Sequence, residues 1–146
     1  MAENWTQPDP PADASGYLDA LARTMFQAGI SWRVVEAKWP GIRAAFDGFD
    51  PDGVAAMGAA DIDRLMGDTR VIRNRKKLEA VVANARIMRD LARDHGGFGR
   101  YLDSLGDVQA ATAELKKRFA FVGDSGAWWF LWAVGRPVPE HQHPGA

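Results

Sequence analysis

Eight consecutive residues, Arg70-Val71-Ile72-Arg73-Asn74-Arg75-Lys76-Lys77, hold five positive charges. Asn74 is of the type that caps a helix, so the run reads as a bend feeding a helix start. Free first-turn N–H groups and the positive end of a helix dipole favour an anion at such a place. Arg70, Arg73, Asn74, Arg75, Lys76 and Lys77 would then surround a phosphate with salt-dependent affinity, while Val71 and Ile72 anchor inward. A charged, solvated helix start is the plainer reading of the same run. Elsewhere Arg136 and the Trp128-Trp129-Trp132 group could shape a cleft, although tryptophans at helical spacing more often fill a core. Asp19 and Glu36 read first as solvated surface acids, and Asp124 as the cap of a helix beginning near Ser125.

The elements that must position these groups are helical. Ser15 can cap a first helix carrying Tyr17, Leu18, Leu21 and Met25, up to a break at Ala28-Gly29. A second opens at Ser31, with Trp32, Val35 and Trp39 on one face until Pro40, and Ile42 and Phe46 in a further turn or two. Asp50-Pro51 is a start signal for a short helix through Met57, ended by Gly58. Ile62, Leu65 and Met66 mark another that ends near Gly67-Asp68. From Asn74, Leu78, Val81, Val82, Ala85 and Met88 define the longest amphipathic helix, stopped by Gly96-Gly97. Short helices follow over 98–105 and 110–118. The apolar run 127–134 is a buried helix rather than a strand, since no other segment alternates with period two. The expected organisation is an extended Pro-rich lead-in over 1–14, one all-α domain over 15–135, and an irregular tail over 136–146.

Composition sets the limits. A chain of 146 residues with 47% hydrophobic content can bury one core. Its formal charge of -1 excludes binding through bulk charge, so any anion site must be local. Without cysteine there is no disulfide, thiol nucleophile or thiolate metal site. The amino terminus has neither a basic start nor an apolar stretch, and no eighteen apolar residues run uninterrupted. No membrane partner is expected, and a cytoplasmic monomer is the default.

Two segments carry a resemblance. Gln27-Ala28-Gly29-Ile30-Ser31-Trp32 is the first. The second is Phe46-Asp47-Gly48-Phe49-Asp50-Pro51, running through Val54-Ala55-Ala56-Met57 to the bend at 70–77 and Val82-Ala83-Asn84-Ala85. In order and spacing they resemble the DNA-3-methyladenine glycosylase I family, bacterial base-excision repair enzymes of the helix-hairpin-helix superfamily. Leu115-Lys116-Lys117-Arg118-Phe119-Ala120-Phe121-Val122-Gly123 resembles the family's late segment. The resemblance covers roughly residues 17–135. It implies an enzyme that extrudes an alkylated base from double-stranded DNA and hydrolyses its N-glycosidic bond, with no cofactor.

By that resemblance the bend is a hairpin holding the DNA backbone, and Gln27 to Trp32 lines the base pocket. An extruded 3-methyladenine is cationic, so an indole face stabilises it by stacking and cation–π attraction; Trp32 is carried over for that role. Core packing is its plainer reading. Gln27 could read polar base edges, or serve as a capping or buried amide. The sequence departs from the family at several points. Thr24 stands where the family has its pocket acid, and a hydroxyl neither accepts a proton nor offsets charge as a carboxylate does. Asp124, at a family position that approaches the pocket, is the substitute acid on offer. Without those roles the fold would serve as a binding module for DNA or a damaged base. Arg70 replaces the glycine of the family's bend, and Lys76 is bulkier than the residues usual there. The family's cysteine and histidine zinc ligands are missing apart from His141 and His143, so no structural zinc is expected.

Overall fold

Apolar residues at helical spacing become helices throughout. In this computed structural model, which describes residues 6–139, they are α1 (Ala14–Gln27), α2 (Trp32–Ala45), α3 (Pro51–Ala55), α4 (Ala59–Met66), α5 (Arg75–His95), α6 (Phe98–Asp103), α7 (Val108–Arg118) and α8 (Asp124–Ala133), with a 3-10 turn at Asp47–Phe49. No strand occurs among the described residues, and the chain is all-α as expected. The strongest punctuation signals act as read. Asp50 accepts from the Gly53 N–H ahead of Pro51, Asn74 accepts from the Lys77 N–H, and Gly96 ends α5 at φ 78°.

Four local expectations are corrected. Asp13, not Ser15, caps α1, because its carboxylate reaches the Gly16 N–H. The third helix stops at Ala55, and Gly58 caps the start of α4. α2 continues through Pro40. The ring lies on the exposed side, and Val35, Trp39 and Ile42 keep one buried stripe across it. Trp32 leaves that stripe: it is 54% exposed, among the most exposed large hydrophobic residues described.

α5 is the spine, packed against α1, α3, α4 and α6. Leu78, Val81, Ala85 and Met88 are fully buried along it. Its polar side chains also hold other elements by their backbones. Arg86 donates to the Ala55 and Met57 carbonyls, each at 2.9 Å, and so closes the end of α3. Between α1 and α2, Asp19 accepts from the Trp39 indole and from Arg43, and Arg23 forks onto Glu36 at 2.9 and 3.1 Å. The two acids are therefore structural partners of cations. The lead-in and the tail meet: Gln7 donates to the Trp132 and Arg136 carbonyls, and Pro10 lies against Gly135.

Just after α2 the backbone turns left-handed at Asp47, Gly48 and Phe49. Phe49 is fully buried, its ring stacked between Trp39 at 5.4 Å and Phe46 at 5.1 Å. A left-handed conformation costs a residue with a side chain about 1–2 kcal/mol. Burying a phenylalanine gains about 1.5–3 kcal/mol, so the core offsets the strain.

Candidate nucleic-acid interface and base site

The bend between α4 and α5 is built without glycine. None of its residues has a positive φ, so Arg70 carries no left-handed strain. Asp68 supplies the turn instead. Its carboxylate accepts from the Arg70 N–H at 2.9 Å and grips the same residue's guanidinium at 2.7 Å. That hydrogen bonding draws the Asp68 carboxyl down to about 2. Val71 is buried as expected, Ile72 is partly buried, and the Lys38 ammonium fixes the Thr69 carbonyl from α2 at 3.2 Å.

The cations of the bend are not equivalent. Arg73 and Lys76 are exposed, with no hydrogen bond or ion pair among the described residues. Arg75 is exposed but paired with Asp63 at 2.6 Å, and Arg70 is paired with Asp68. Asn74 spends its side-chain oxygen on the helix cap. Lys77 is a correction to the reading of a cation facing outward. It is 5% exposed, its Nζ donates to the Ala28 carbonyl and lies 3.5 Å from the Phe26 carbonyl, and burial lowers its pKa. The ammonium thus sits at the negative end of the α1 dipole and fastens the α1–α2 turn to the bend.

That turn presents Gln27 and Trp32. Gln27 is half-buried, and its amide makes no hydrogen bond among the described residues. It therefore neither caps a helix nor acts as a satisfied core amide. Ser31 caps α2 through the Arg33 N–H, which sets Trp32 as the first helical residue, outside the core, with the Arg33 guanidinium 5.5 Å from its ring. Glu36 follows one turn later on α2.

Thr24 is on the buried side of α1, 6% exposed, with its hydroxyl donating to the Leu21 carbonyl at 2.9 Å. Its neighbour across the interface is Gly126 on α8, where a Cβ would stand 3.9 Å from the threonine hydroxyl. Asp124 is two residues earlier on α8. At about 100° per residue its side chain leaves on nearly the opposite side of the helix. The carboxylate is accordingly 81% exposed and paired with Lys116 of α7 at 2.8 Å. The Asp124 carboxylate is thus not brought beside Thr24. Nor does it cap α8, which starts from Gly123 without a side-chain hydrogen bond.

A buried residue unassigned from the sequence holds the remaining wall. Asn84, fully buried on α5, donates to the Ala120 carbonyl and accepts from the Ala120 N–H, both at 3.0 Å. This double clamp fixes the α7–α8 connection. The next residue, Phe121, has φ 59°, is 43% exposed, and lies with its ring 6.0 Å from the Lys77 ammonium.

Comparison with known proteins places the chain in a family. Residues 2–118 match the family model described as methyladenine glycosylase. The chain belongs to that family. DNA-3-methyladenine glycosylase 1 of Escherichia coli K12 is 31% identical, over 86% of this chain and 79% of that protein. The structure of 3-methyladenine DNA glycosylase I from Staphylococcus aureus, described as showing the basis of 3-methyladenine recognition, superposes with a TM-score of 0.78 at 29% identity, covering 92% of this chain and 82% of that one. A single-residue variant of a 3-methyladenine DNA glycosylase I in complex with 3-methyladenine gives a TM-score of 0.77 at 28% identity, over 92% of this chain and 83% of that one.

Within the methyladenine glycosylase family this member has its own composition. A zinc site of the kind the resemblance brings with it does not fit the donor set, since the chain has no cysteine. Among the described residues no group of His, Asp and Glu could hold a metal; His141 and His143 lie outside them. No helix among the described residues is long and apolar enough to cross a membrane. Two of the features above had sequence signals. Lys77 lies four residues before Val81, on the apolar face of α5, and Asp68 precedes Arg70 at the spacing of a side-chain-to-backbone turn. The Asn84 clamp had none, because its partner is 36 residues away.

Proposed function

We propose that this chain is a 3-methyladenine DNA glycosylase of base excision repair, acting on double-stranded DNA and hydrolysing the N-glycosidic bond of an extruded, alkylated base. The carrying observation is Trp32: an indole set 54% exposed at the start of α2, in a chain whose other described aromatic side chains, Phe121 apart, are buried or partly buried. An exposed tryptophan on a fixed turn is poorly explained by packing and well explained by a flat, cationic ligand. Gln27, with its amide uncommitted, is suited to the polar edge of the same base. Arg73 and Lys76 are the principal phosphate contacts of a helix-hairpin-helix element formed by α4, the bend and α5, with Arg70 and Arg75 contributing once their acidic partners are displaced.

The chemistry is light on protein groups. A 3-methylated adenine leaves as a neutral base, taking the electron pair of the C1′–N bond and so discharging its own positive charge. Water adds to C1′ and loses its proton to solvent. Residue 24 is a threonine and offers no carboxylate, and its hydroxyl is committed to the Leu21 carbonyl. The expected catalyst is therefore a slow one that works by extrusion, stacking and desolvation. Incubation of the protein with methylated duplex DNA, followed by quantification of released bases, tests this reading. The absence of a carboxylate at Thr24, with Asp124 turned away, favours one alternative: a module that binds DNA or the damaged base without cleaving it. Salt-sensitive DNA binding without base release would establish that alternative.

A further inference from the structure

Phe121 is the second exposed aromatic side chain in the region of the proposed base site, after Trp32, and its left-handed backbone is not explained by packing. The protein has two phenylalanines with a left-handed backbone, Phe49 at φ 59° and Phe121 at φ 59°. Phe49 is repaid by complete burial between two rings. Phe121 is 43% exposed, and its described ring neighbour is a cation, the Lys77 ammonium at 6.0 Å. Non-glycine residues persist in this conformation only where their surroundings over-determine them, and such places cluster at functional sites. The surroundings here are the two hydrogen bonds between Asn84 and Ala120, one donated by each, which fix the backbone just before Phe121.

The location gives the strain a meaning. Lys77 Nζ, beneath the Phe121 ring, is hydrogen-bonded to Ala28 in the turn between Gln27 and Trp32. Val122, the next residue, meets the Gly126 position together with Thr24. Phe121 therefore stands where the bend, the α1–α2 turn and the Thr24 wall come together. We propose that Phe121 is a nucleobase-stacking residue of the DNA complex, a second aromatic contact beside Trp32. The inference rests on the glycosylase reading above. The stacked base is either the extruded one or a base of the duplex next to the gap, since both offer the same flat π-face.

The test compares wild type, Phe121→Leu and Phe121→Tyr in three measurements: thermal midpoint, affinity for free 3-methyladenine, and affinity for a duplex containing a tetrahydrofuran abasic site. Leucine keeps apolar bulk but removes the π-face, so a stacking residue loses about tenfold in affinity with little change in midpoint. Tyrosine retains wild-type affinity. Loss confined to the abasic duplex assigns the contact to a base of the duplex, and loss for free 3-methyladenine assigns it to the extruded base. If wild type binds and Phe121→Leu binds equally well to both ligands, or loses affinity only in proportion to a fall in midpoint, the inference is overturned and the glycosylase reading stands. If wild type binds neither ligand, the reading and the inference fall together.

Discussion

The bend between α4 and α5 and the wall around Thr24 have diverged in opposite senses. In the bend, Asp68 builds the turn through its carboxylate and holds Arg70, and Arg73 and Lys76 remain exposed beside it while Lys77 is drawn inside. At the wall, a threonine stands at the acid position, its hydroxyl is committed to the backbone, and Asp124 points away. A phosphate grip can be assembled from several cations in many geometries, because charge–charge attraction is long-ranged and non-directional. A catalytic carboxylate is a single group at a single place. Lys77 ties the bend to the C-terminal end of α1, the helix that carries Thr24, inside the protein rather than on its surface.

Substitutions can break that contrast, and the largest effect is expected at the base site. Trp32→Ala should lower release of 3-methyladenine by about 10- to 100-fold, the loss of one stacked, charge-stabilising contact. Affinity for undamaged duplex should change little, so single-turnover release and fluorescence-based binding read together check it. Next comes the grip. Replacing both Arg73 and Lys76 by Gln should weaken duplex binding by about tenfold at moderate salt, and reduce the slope of log affinity against log salt by about 2. Unchanged binding after that double replacement would move the interface elsewhere. Asn84→Ala should cost about 1–3 kcal/mol in chemical denaturation, because it removes both hydrogen bonds that the buried amide makes with the Ala120 backbone.

Much of the fold was legible because local signals agreed with one another. Asp50-Pro51, Asn74 and Gly96 each act through neighbours within a few residues, and the stripe from Leu78 to Met88 has one period only. Pro40 misled because a proline on the exposed side of a helix removes one hydrogen bond without disturbing the buried face. The site was legible in part. Trp32 and Gln27 were singled out through their motif as proposed base contacts, but periodicity put Trp32 on the core face, and only the cap at Ser31 shows why it escapes. The charge count in the bend could not distinguish exposed Arg73 from buried Lys77 or from salt-bridged Arg70, since pairing depends on Asp68 and on carbonyls 49 residues away.

A smaller effect would sharpen the comparison at the bend. Asp68→Asn removes a negative charge and frees Arg70, so duplex affinity should rise by about two- to threefold. The same pair sets a pH dependence of stability. The Asp68 carboxyl is depressed to about 2 in the folded chain against 3.8 for an unperturbed aspartate, chiefly by its hydrogen bonds with Arg70. Its contribution is therefore complete above the higher value and is lost as pH falls through the lower one. Acid titrations of wild type and Asp68→Asn should diverge in that window and run parallel above it.

The smallest expected effect belongs to Thr24, and it accompanies the central measurement. Wild type and Thr24→Val are incubated with methylated duplex DNA, and released 3-methyladenine is counted against a protein-free control. Release above the control by wild type, changed by less than about twofold in the valine variant, is the expected result, since the hydroxyl serves only the backbone. No release from either protein, alongside salt-sensitive binding of the same duplex, would contradict the glycosylase assignment.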